Sequence, residues 1–229
     1  MLARMWFLVS PKAISALVFA TFLSIASQSS AMQATWSVEE GGNGSIYSFV
    51  PLSCTVICVT WSDADETAKG MLNDGRVGRL ATVRSREEQE FIQNAVLPPN
   101  AVGVNKNQVW IGGRQAPEQQ LPAAGWGWAS SGITPETWKY ENWTSPGEPN
   151  DEGNINERFL TMWVHYYKLG SQGWQDFRGT WNDEQDQANP AARIIGMLVE
   201  WCVPSVPEPG TAALAALGMG LLALRRRRR

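Results

Sequence analysis

The stretch from Gly147 to Asp183 constrains this chain more than any other part of its sequence. It opens with Glu-Pro-Asn at residues 148–150, closes with Trp-Asn-Asp at residues 181–183, and carries Glu157 in between. Mixed carboxylate and carboxamide oxygens suit Ca²⁺, which takes about six to eight oxygen ligands from flexible loops. The fold therefore has to bring both ends of the stretch together. The predicted calcium ligands are Glu148, Asn150, Glu157, Asn182 and Asp183.

Both ends of this stretch also carry a geometric requirement. A cis bond before Pro149 would turn Glu148 and Asn150 toward one ion, whereas a trans bond would splay them apart. Asn182 and Asp183 are neighbours, so in an extended strand their side chains point to opposite faces. Both reach one ion only where the strand bends or where one residue uses its main-chain carbonyl. The alternative is an ordinary exposed turn that has lost its ligand, since turns have a similar composition.

The residues that precede this stretch show strand and helix patterns. The segment from Ile46 to Leu52 alternates loosely as a strand does. Ser62 begins a helix with acidic residues in its first turn, and the capping box at residues 85–88 starts a second one. The expected inward-facing residues are Ala64, Ala68 and Met71 or Leu72 in the first helix, and Phe91, Ile92 and Ala95 in the second.

Taken together, these patterns resemble the C-type lectin-like domain. Glu-Pro-Asn, Glu157 and Trp-Asn-Asp match its calcium site residue by residue, and residues 61–88 resemble its two-helix opening. Residues 110–113, Trp-Ile-Gly-Gly, resemble its central strand, and residues 198–201, Leu-Val-Glu-Trp, its last strand. The resemblance covers nearly all of residues 35–203. It implies an α+β fold in which two helices flank small antiparallel sheets, with a long calcium-binding loop region.

The chain departs from this family in its cysteines. The resemblance implies two disulfides, but their positions hold Ala68 and Val199 in one case and about Phe159 and Asp186 in the other. We therefore expect packing and bound metal to stabilise the domain. The three cysteines present are Cys54, Cys58 and Cys202, and any of three pairings is open. Their spacing does not favour zinc.

A second departure is a long aromatic insertion at residues 158–180. It is expected either to form an aromatic wall beside the calcium, against which a sugar stacks, or to form a strand pair that plugs the core. The chain has 12 Trp. We expect most of them to lie in the core, because long loops need large apolar side chains with a polar atom that can be hydrogen-bonded.

The N-terminal residues 1–31 are typical of a secretory signal peptide. Arg4 and Lys12 precede an apolar centre, and Ser29-Ser30-Ala31 forms a small-residue cleavage site. The alternative is a retained membrane anchor. We favour cleavage, because the apolar run is short for a membrane span and ends in small polar residues.

The C-terminal residues 204–229 form a tripartite tail. Pro207-Glu208-Pro209 precedes an apolar run at residues 211–224, and five arginines follow. This arrangement resembles the PEP-CTERM sorting signal of bacteria that make exopolysaccharide. The resemblance implies recognition by an exosortase-type membrane enzyme, a membrane contact that is at least transient, and delivery to the cell surface or the extracellular matrix. The alternative is a plain tail anchor that obeys the positive-inside rule.

The net charge of residues 32–204 limits the kinds of partner that the protein can bind. Residues 32–204 hold 12 of the 19 basic and 21 of the 22 acidic residues, which makes this part of the chain about −9. Such a balance argues against nucleic acid and suits a cation-binding surface. His165 is the only histidine, and no serine or cysteine arrangement accompanies it. We therefore expect no enzymatic activity.

These observations predict an exported, calcium-dependent carbohydrate-binding protein. The five calcium ligands would also bind the glycan or exopolysaccharide: Glu148 and Glu157 accept the protons of two sugar hydroxyls, and Asn150 and Asn182 donate. By resemblance, the Glu-Pro-Asn order implies mannose-type hydroxyls. The alternative function is a structural or adhesive surface protein, in which calcium rigidifies the loops and the partner is protein or matrix.

Overall fold

The structure, a computed structural model, describes residues 32–52, 59–98, 107–131, 138–151, 156–165, 167–170, 173–186 and 193–203. The predicted signal peptide at residues 1–31 and most of the predicted sorting tail at residues 204–229 fall outside these ranges, as do Cys54 and Cys58. Within the described ranges, no helix has both the length and the apolar character needed to cross a membrane.

The described residues form two α-helices and twelve strands. The helices are α1 (Trp61–Gly70) and α2 (Arg86–Phe91), and α2 continues as a π-turn over Ile92–Val96. The strands are β1 (Gln33–Thr35), β2 (Ile46–Pro51), β3 (Leu72–Asn73), β4 (Arg76–Val77), β5 (Arg79–Leu80), β6 (Asn107–Gln115), β7 (Trp126–Trp128), β8 (Phe159–His165), β9 (Tyr167–Gly170), β10 (Gly173–Asp176), β11 (Trp181–Glu184) and β12 (Ile194–Trp201). This content confirms the predicted α+β class.

The main sheet is larger than the small antiparallel sheets expected from the sequence. Its strands lie in the order β1-β2-β12-β6-β8-β11, with β5 beside β12 and β7 beside β6. The β12–β6 pair is parallel, whereas the other pairs in this sheet are antiparallel. The last strand of the domain thus lies between β2 and β6, a long-range pairing that local patterns do not reveal. Two small sheets, β3–β4 and β9–β10, stand apart from it.

Helix α1 begins slightly earlier than the sequence pattern indicated. Thr60 is its N-cap and accepts a hydrogen bond from the Asp63 main-chain N–H at 3.0 Å. Ala64 and Ala68 are fully buried, as expected. Leu72, offered as an alternative inward-facing residue, is exposed, because the helix ends at Gly70 and Leu72 belongs to β3.

Helix α2 has half of the predicted capping box. The Ser85 hydroxyl accepts a hydrogen bond from the Glu88 N–H at 3.2 Å. The Glu88 carboxylate does not return to Ser85. It instead accepts from the Arg84 N–H at 2.6 Å and from the Tyr47 hydroxyl, so tertiary contact replaces the second half of the box.

Most tryptophans of the described domain are buried, and some of their indole N–H groups connect separate elements. The Trp61 indole donates to the Ile111 carbonyl at 2.8 Å, and the Trp181 indole donates to the Gln89 side chain at 2.9 Å. Each ring is buried while its N–H reaches a loop or a neighbouring element. The tryptophans buried in the described domain are Trp61, Trp110, Trp126, Trp128, Trp163, Trp181 and Trp201.

Other contacts occupy the two positions where the resemblance implied disulfides. Ala68 and Val199 are both fully buried in one apolar cluster that also holds Trp61. Asp186 accepts from the Ser62 N–H and hydroxyl, each at 2.9 Å, and Phe159 packs on Trp61 with ring centroids 5.1 Å apart. Packing thus joins α1 to β12 as the first disulfide would have done, whereas Phe159 and Asp186 each contact the start of α1.

Candidate functional site

The loop that carries Glu148 is hydrogen-bonded to the start of β11. The Thr144 N–H donates to the Trp181 carbonyl at 3.0 Å, and the Glu148 N–H donates to the Thr144 carbonyl at 3.1 Å. The Glu148–Pro149 peptide is cis, which is the arrangement expected to turn Glu148 and Asn150 the same way. Long-range backbone contacts therefore place this loop beside the Trp-Asn-Asp strand.

Asp183 is the point at which the loop and the strand meet. Its side chain is 1% exposed and accepts from the Asn150 N–H at 3.0 Å and from the Asp151 N–H at 3.1 Å. The Glu148 carboxyl also hydrogen-bonds to it. Burial raises the pKa of the Asp183 carboxyl, although these hydrogen bonds oppose the rise. Two acidic groups in contact need either a shared proton or a nearby cation.

Asn182 lies on the other face of β11 and meets Asp183 through the backbone. The strand is regular, with Asn182 opposite Thr161 and Asp183 opposite Leu160. The Asn182 amide donates to the Asp183 main-chain oxygen at 2.8 Å and to the Glu184 carboxylate at 3.3 Å. The regular strand therefore places the Asn182 and Asp183 side chains on opposite faces, and the choice between a local bend and a main-chain carbonyl ligand stays a prediction.

Glu157 joins this cluster through Asp151. The Glu157 N–H donates to the Asp151 side chain at 2.8 Å, and the Glu157 side chain is 7% exposed. Asp151 has a φ of 50°, so the chain turns sharply as it leaves the loop. Asn150 contributes its N–H to the cluster, while its side chain is exposed.

The five predicted site residues thus belong to one hydrogen-bonded neighbourhood, but in different ways. Glu148 and Asp183 meet through their side chains, whereas the other three join through main-chain groups or through Asp151 and Asp183. No group of three His, Cys, Asp or Glu side chains in the described ranges is arranged to hold a metal ion. A cation here would also need amide and main-chain oxygens. Such a donor set consists of oxygen alone and fits Ca²⁺ better than Zn²⁺.

Sequence reasoning missed a row of buried polar residues behind Asn182. The Gln108 side-chain amide donates to the Glu184 carboxylate at 2.9 Å. The Thr161 hydroxyl donates to the side-chain oxygen of Gln108 and lies 3.0 Å from the main-chain oxygen of Asn182. Glu184 is 6% exposed. The available signal was the two-residue period of β11, which puts Asn182 and Glu184 on one face.

The long insertion contains a strand pair. Strands β9 and β10 pair antiparallel, with Tyr167 opposite Asp176 and Gly170 opposite Gly173. Trp163, on β8, is 6% exposed and donates to the Thr144 hydroxyl at 3.0 Å. This tryptophan supports the base of the Glu148 loop. An aromatic wall formed by the other ring side chains of the insertion stays a prediction.

A family model described as the PEP-CTERM protein-sorting motif matches residues 205–229. No curated protein matches the chain. C-type lectin CEL-I from Cucumaria echinata is a similar solved structure, at 17% identity over 69% of this chain and 90% of that one, with a TM-score of 0.45.

Two further solved structures are similar. Human lithostathine has 19% identity over 69% of this chain and 84% of its own, with a TM-score of 0.44. Ovocleidin-17, a major protein of the Gallus gallus eggshell calcified layer, has 15% identity over 70% of this chain and 93% of its own, with a TM-score of 0.42. The described domain is similar to a solved C-type lectin structure, and the C-terminal residues match the PEP-CTERM protein-sorting motif.

Proposed function

We propose that this protein is an exported, calcium-dependent carbohydrate-binding protein. The observation that carries the proposal is the contact between Glu148 and Asp183. Two acidic side chains, 35 positions apart in the sequence, meet in a place where one of them is almost fully buried. A divalent cation at this place would balance their charge.

The proposed ligands are Glu148, Asn150, Glu157, Asn182 and Asp183. Bound Ca²⁺ would offer two coordination positions to neighbouring hydroxyl groups of a sugar. The Glu148 and Glu157 carboxylates are acceptors for the hydroxyl protons. Asn150, whose side chain is exposed, is the amide that can donate to the sugar.

Asn182 takes a different part from the one expected for it. Its amide N–H groups are engaged with the Asp183 carbonyl and the Glu184 carboxylate. An amide has two donors and one acceptor oxygen, so its carbonyl oxygen is the group left for a cation. We assign Asn182 to holding the ion rather than to donating to the sugar.

The proposed sugar class is a mannose-type sugar, following the Glu-Pro-Asn order. A single sugar held mainly through two hydroxyl groups binds weakly, so useful avidity comes from many copies on one surface. The match of residues 205–229 to a sorting motif supports this arrangement. An exosortase-type enzyme would recognise the tail, and the protein would reach the cell surface or an exopolysaccharide matrix.

Thermal unfolding with calcium and with chelator tests the metal site. We expect calcium to raise the midpoint in the wild type and not in Asn182→Ala, because a ligand that binds only the native state stabilises it by mass action. A matched control is Asn73→Ala, which changes an exposed asparagine contact between β1 and β3. An unchanged wild-type midpoint at saturating calcium would contradict the proposal.

A glycan array in calcium, repeated in chelator, tests the sugar. Binding to mannose-type glycans that chelator abolishes is the expected result. If calcium stabilises the protein but no glycan binds, the calcium instead rigidifies the loops of a structural or adhesive protein. Galactose binding in place of mannose would overturn only the sugar class.

A further inference from the structure

Exposed aliphatic side chains gather at one end of the described domain. Val38 is 71% exposed, Leu72 71%, Val77 61% and Val203 42%. The other exposed large hydrophobic side chain in the described ranges is Leu121, at 67%. A single exposed aliphatic residue is common on a monomeric protein, whereas several at one end indicate a contact surface.

Two of these side chains flank Gly44. A Cβ placed on Gly44 would lie 2.8 Å from Val203 Cγ2 and 3.6 Å from Val38 Cγ2. Strand β2 begins and strand β12 ends beside this turn, since Ile46 pairs with Trp201. Val38 and Val203 are therefore neighbours at the point where the chain leaves the sheet.

The β3–β4 hairpin is tied to the same end. The Arg76 guanidinium donates to the Gly44 carbonyl at 3.3 Å, and Asn73 donates to a β1 side chain at 3.1 Å. Leu72 and Val77 are paired directly across the hairpin. Because side chains alternate along a strand, these two point away from the face that Arg76 and Asn73 use. We call residues 36–45, 71–78 and 201–203 the terminal end.

In the sequence, the C-terminal apolar segment follows soon after Val203. Seven residues, 204–210, separate Val203 from the apolar run at residues 211–224, and three of the seven are proline. Seven residues span at most about 25 Å. When the apolar run is held at a membrane, the terminal end is therefore kept within that distance of lipid.

We propose that Val38, Leu72, Val77 and Val203 rest on the lipid surface while the chain is tethered by its C-terminal apolar segment. Four aliphatic side chains are too few to hold a free domain on a bilayer, so the contact depends on the high effective concentration that the tether provides. This inference rests on the membrane association of the C-terminal tail in the proposed function, and not on its calcium or sugar site. Strand β11, which carries the candidate site, lies at the opposite edge of the sheet from β1.

The charges at this end favour a zwitterionic surface over an anionic one. Glu39, Glu40 and Asp74 are exposed there, beside Arg76. The contact should therefore come from apolar burial and should persist in high salt, because salt screens only the electrostatic part.

Lipid photo-crosslinking tests this directly. The full chain is reconstituted in phosphatidylcholine vesicles doped with a lipid that carries a diazirine near its headgroup, irradiated, and mapped by mass spectrometry. In the wild type we expect adducts in residues 36–45 and 71–78 to exceed those around Leu121 by about tenfold. In Leu72→Asp with Val77→Asp, adducts in the hairpin should fall by about fivefold or more. Leu121→Asp is the matched control and should change nothing.

Any one of three labelling results would overturn the proposal. These are an absence of lipid adducts in residues 32–203, equal labelling around Leu121, and labelling that the double variant leaves intact. If the full chain instead forms a dimer in detergent that the double variant splits, the partner is a second copy and the proposal is wrong. The near-ultraviolet spectrum of the tryptophans reports folding. If the double variant unfolds, Val38→Asp alone serves as the test, with loss of labelling at residues 36–45 expected.

Discussion

Two almost fully buried carboxylates, Glu200 on β12 and Asp183 on β11, have opposite electrostatic surroundings. Glu200 is 0% exposed, and the Arg79 guanidinium lies 3.2 Å from it. It also accepts from the Thr82 hydroxyl at 2.8 Å and from the Ser45 hydroxyl at 3.2 Å. Burial opposes its ionisation, but Arg79 and its other partners outweigh burial, so the pKa of Glu200 is lowered.

Asp183 has no such cation. Within the described ranges, no lysine or arginine forms an ion pair with it, and its partners are two main-chain amides and a second acid, Glu148. Its pKa is raised, chiefly by burial. The chain balances the charge of Glu200 with its own residues, whereas in the proposed function a bound cation would balance the charge of Asp183. The first arrangement stabilises the fold, and the second is suited to binding.

Glu200 also affects the acidity of the neighbouring Cys202 thiol, which forms no disulfide. The Cys202 thiol donates to the Glu200 carboxylate at 2.9 Å. Burial, and then the charge of Glu200, raise the pKa of Cys202 to about 11. A thiol that stays protonated is a poor nucleophile, so Cys202 belongs to the structural network and not to a reactive site.

The largest expected effect comes from Glu200→Gln. The Glu200 carboxylate is fully buried and binds Arg79, which is 26% exposed, as well as the Thr82 and Ser45 hydroxyls, so we expect the free energy of unfolding to fall by about 3 kcal/mol. Urea denaturation measures this, and calcium should not restore the loss. Glu66→Gln is the control, because its pair with Lys69 is exposed and contributes well under about 1 kcal/mol. A loss below about 1 kcal/mol for Glu200→Gln would mean that the Glu200–Arg79 pair does not stabilise the fold.

Asp183→Asn should not lower the stability in chelator, in contrast to Glu200→Gln, but it should abolish the response to calcium. The amide keeps an acceptor for the main-chain N–H groups but removes a buried charge, so stability in chelator should hold or rise. The calcium-dependent gain, about 2.7 kcal/mol when calcium is at 100 times its dissociation constant, should vanish. Thermal unfolding and calorimetric titration measure both effects. Asp74→Asn, in the exposed β3–β4 turn, should keep the full response. A calcium response that survives in Asp183→Asn would place the ion elsewhere.

Acidification should reduce the difference in free energy of unfolding between the wild type and Glu200→Gln. A carboxyl whose pKa is lower in the folded state contributes stability that is fully present above its ordinary pKa and is lost as the pH falls through the folded pKa. The wild type should therefore lose more free energy of unfolding than the variant below about pH 4.3, the ordinary value for glutamate. Urea denaturation in a series of acidic buffers, in chelator, measures the gap. A constant gap would mean that Glu200 acts through packing and not through charge.

The smallest effect is expected from Glu184→Gln. Asn182 would lose a charged acceptor that orients its amide, and residues that orient metal ligands typically contribute about tenfold in affinity. Calcium titration measures the change, with stability in chelator nearly unaltered. Glu90→Gln, an exposed glutamate paired with Arg86, is the control. An unchanged calcium affinity would mean that Asn182 is held by Asp183 and the strand alone.

Local patterns predicted much of the fold. The start of α2, the buried alanines of α1 and the strand from Ile46 each follow from a few consecutive residues. Two expectations about the helix ends were wrong. Glu88 was expected to complete its capping box, but Tyr47 and the Arg84 N–H hold its carboxylate instead. Leu72 fitted a helical face, but the helix ends two residues before it.

The sequence by itself determined which groups can bind a cation, because the choice of oxygen ligands is a property of each residue and its immediate neighbours. Only the tertiary structure decided which buried acids have their charge balanced. Glu200 lies next to Arg79, 121 positions away in the sequence, while Asp183 lies next to Glu148. Burial and charge pairing depend on what the fold brings within a few ångströms, and no local pattern contains that information.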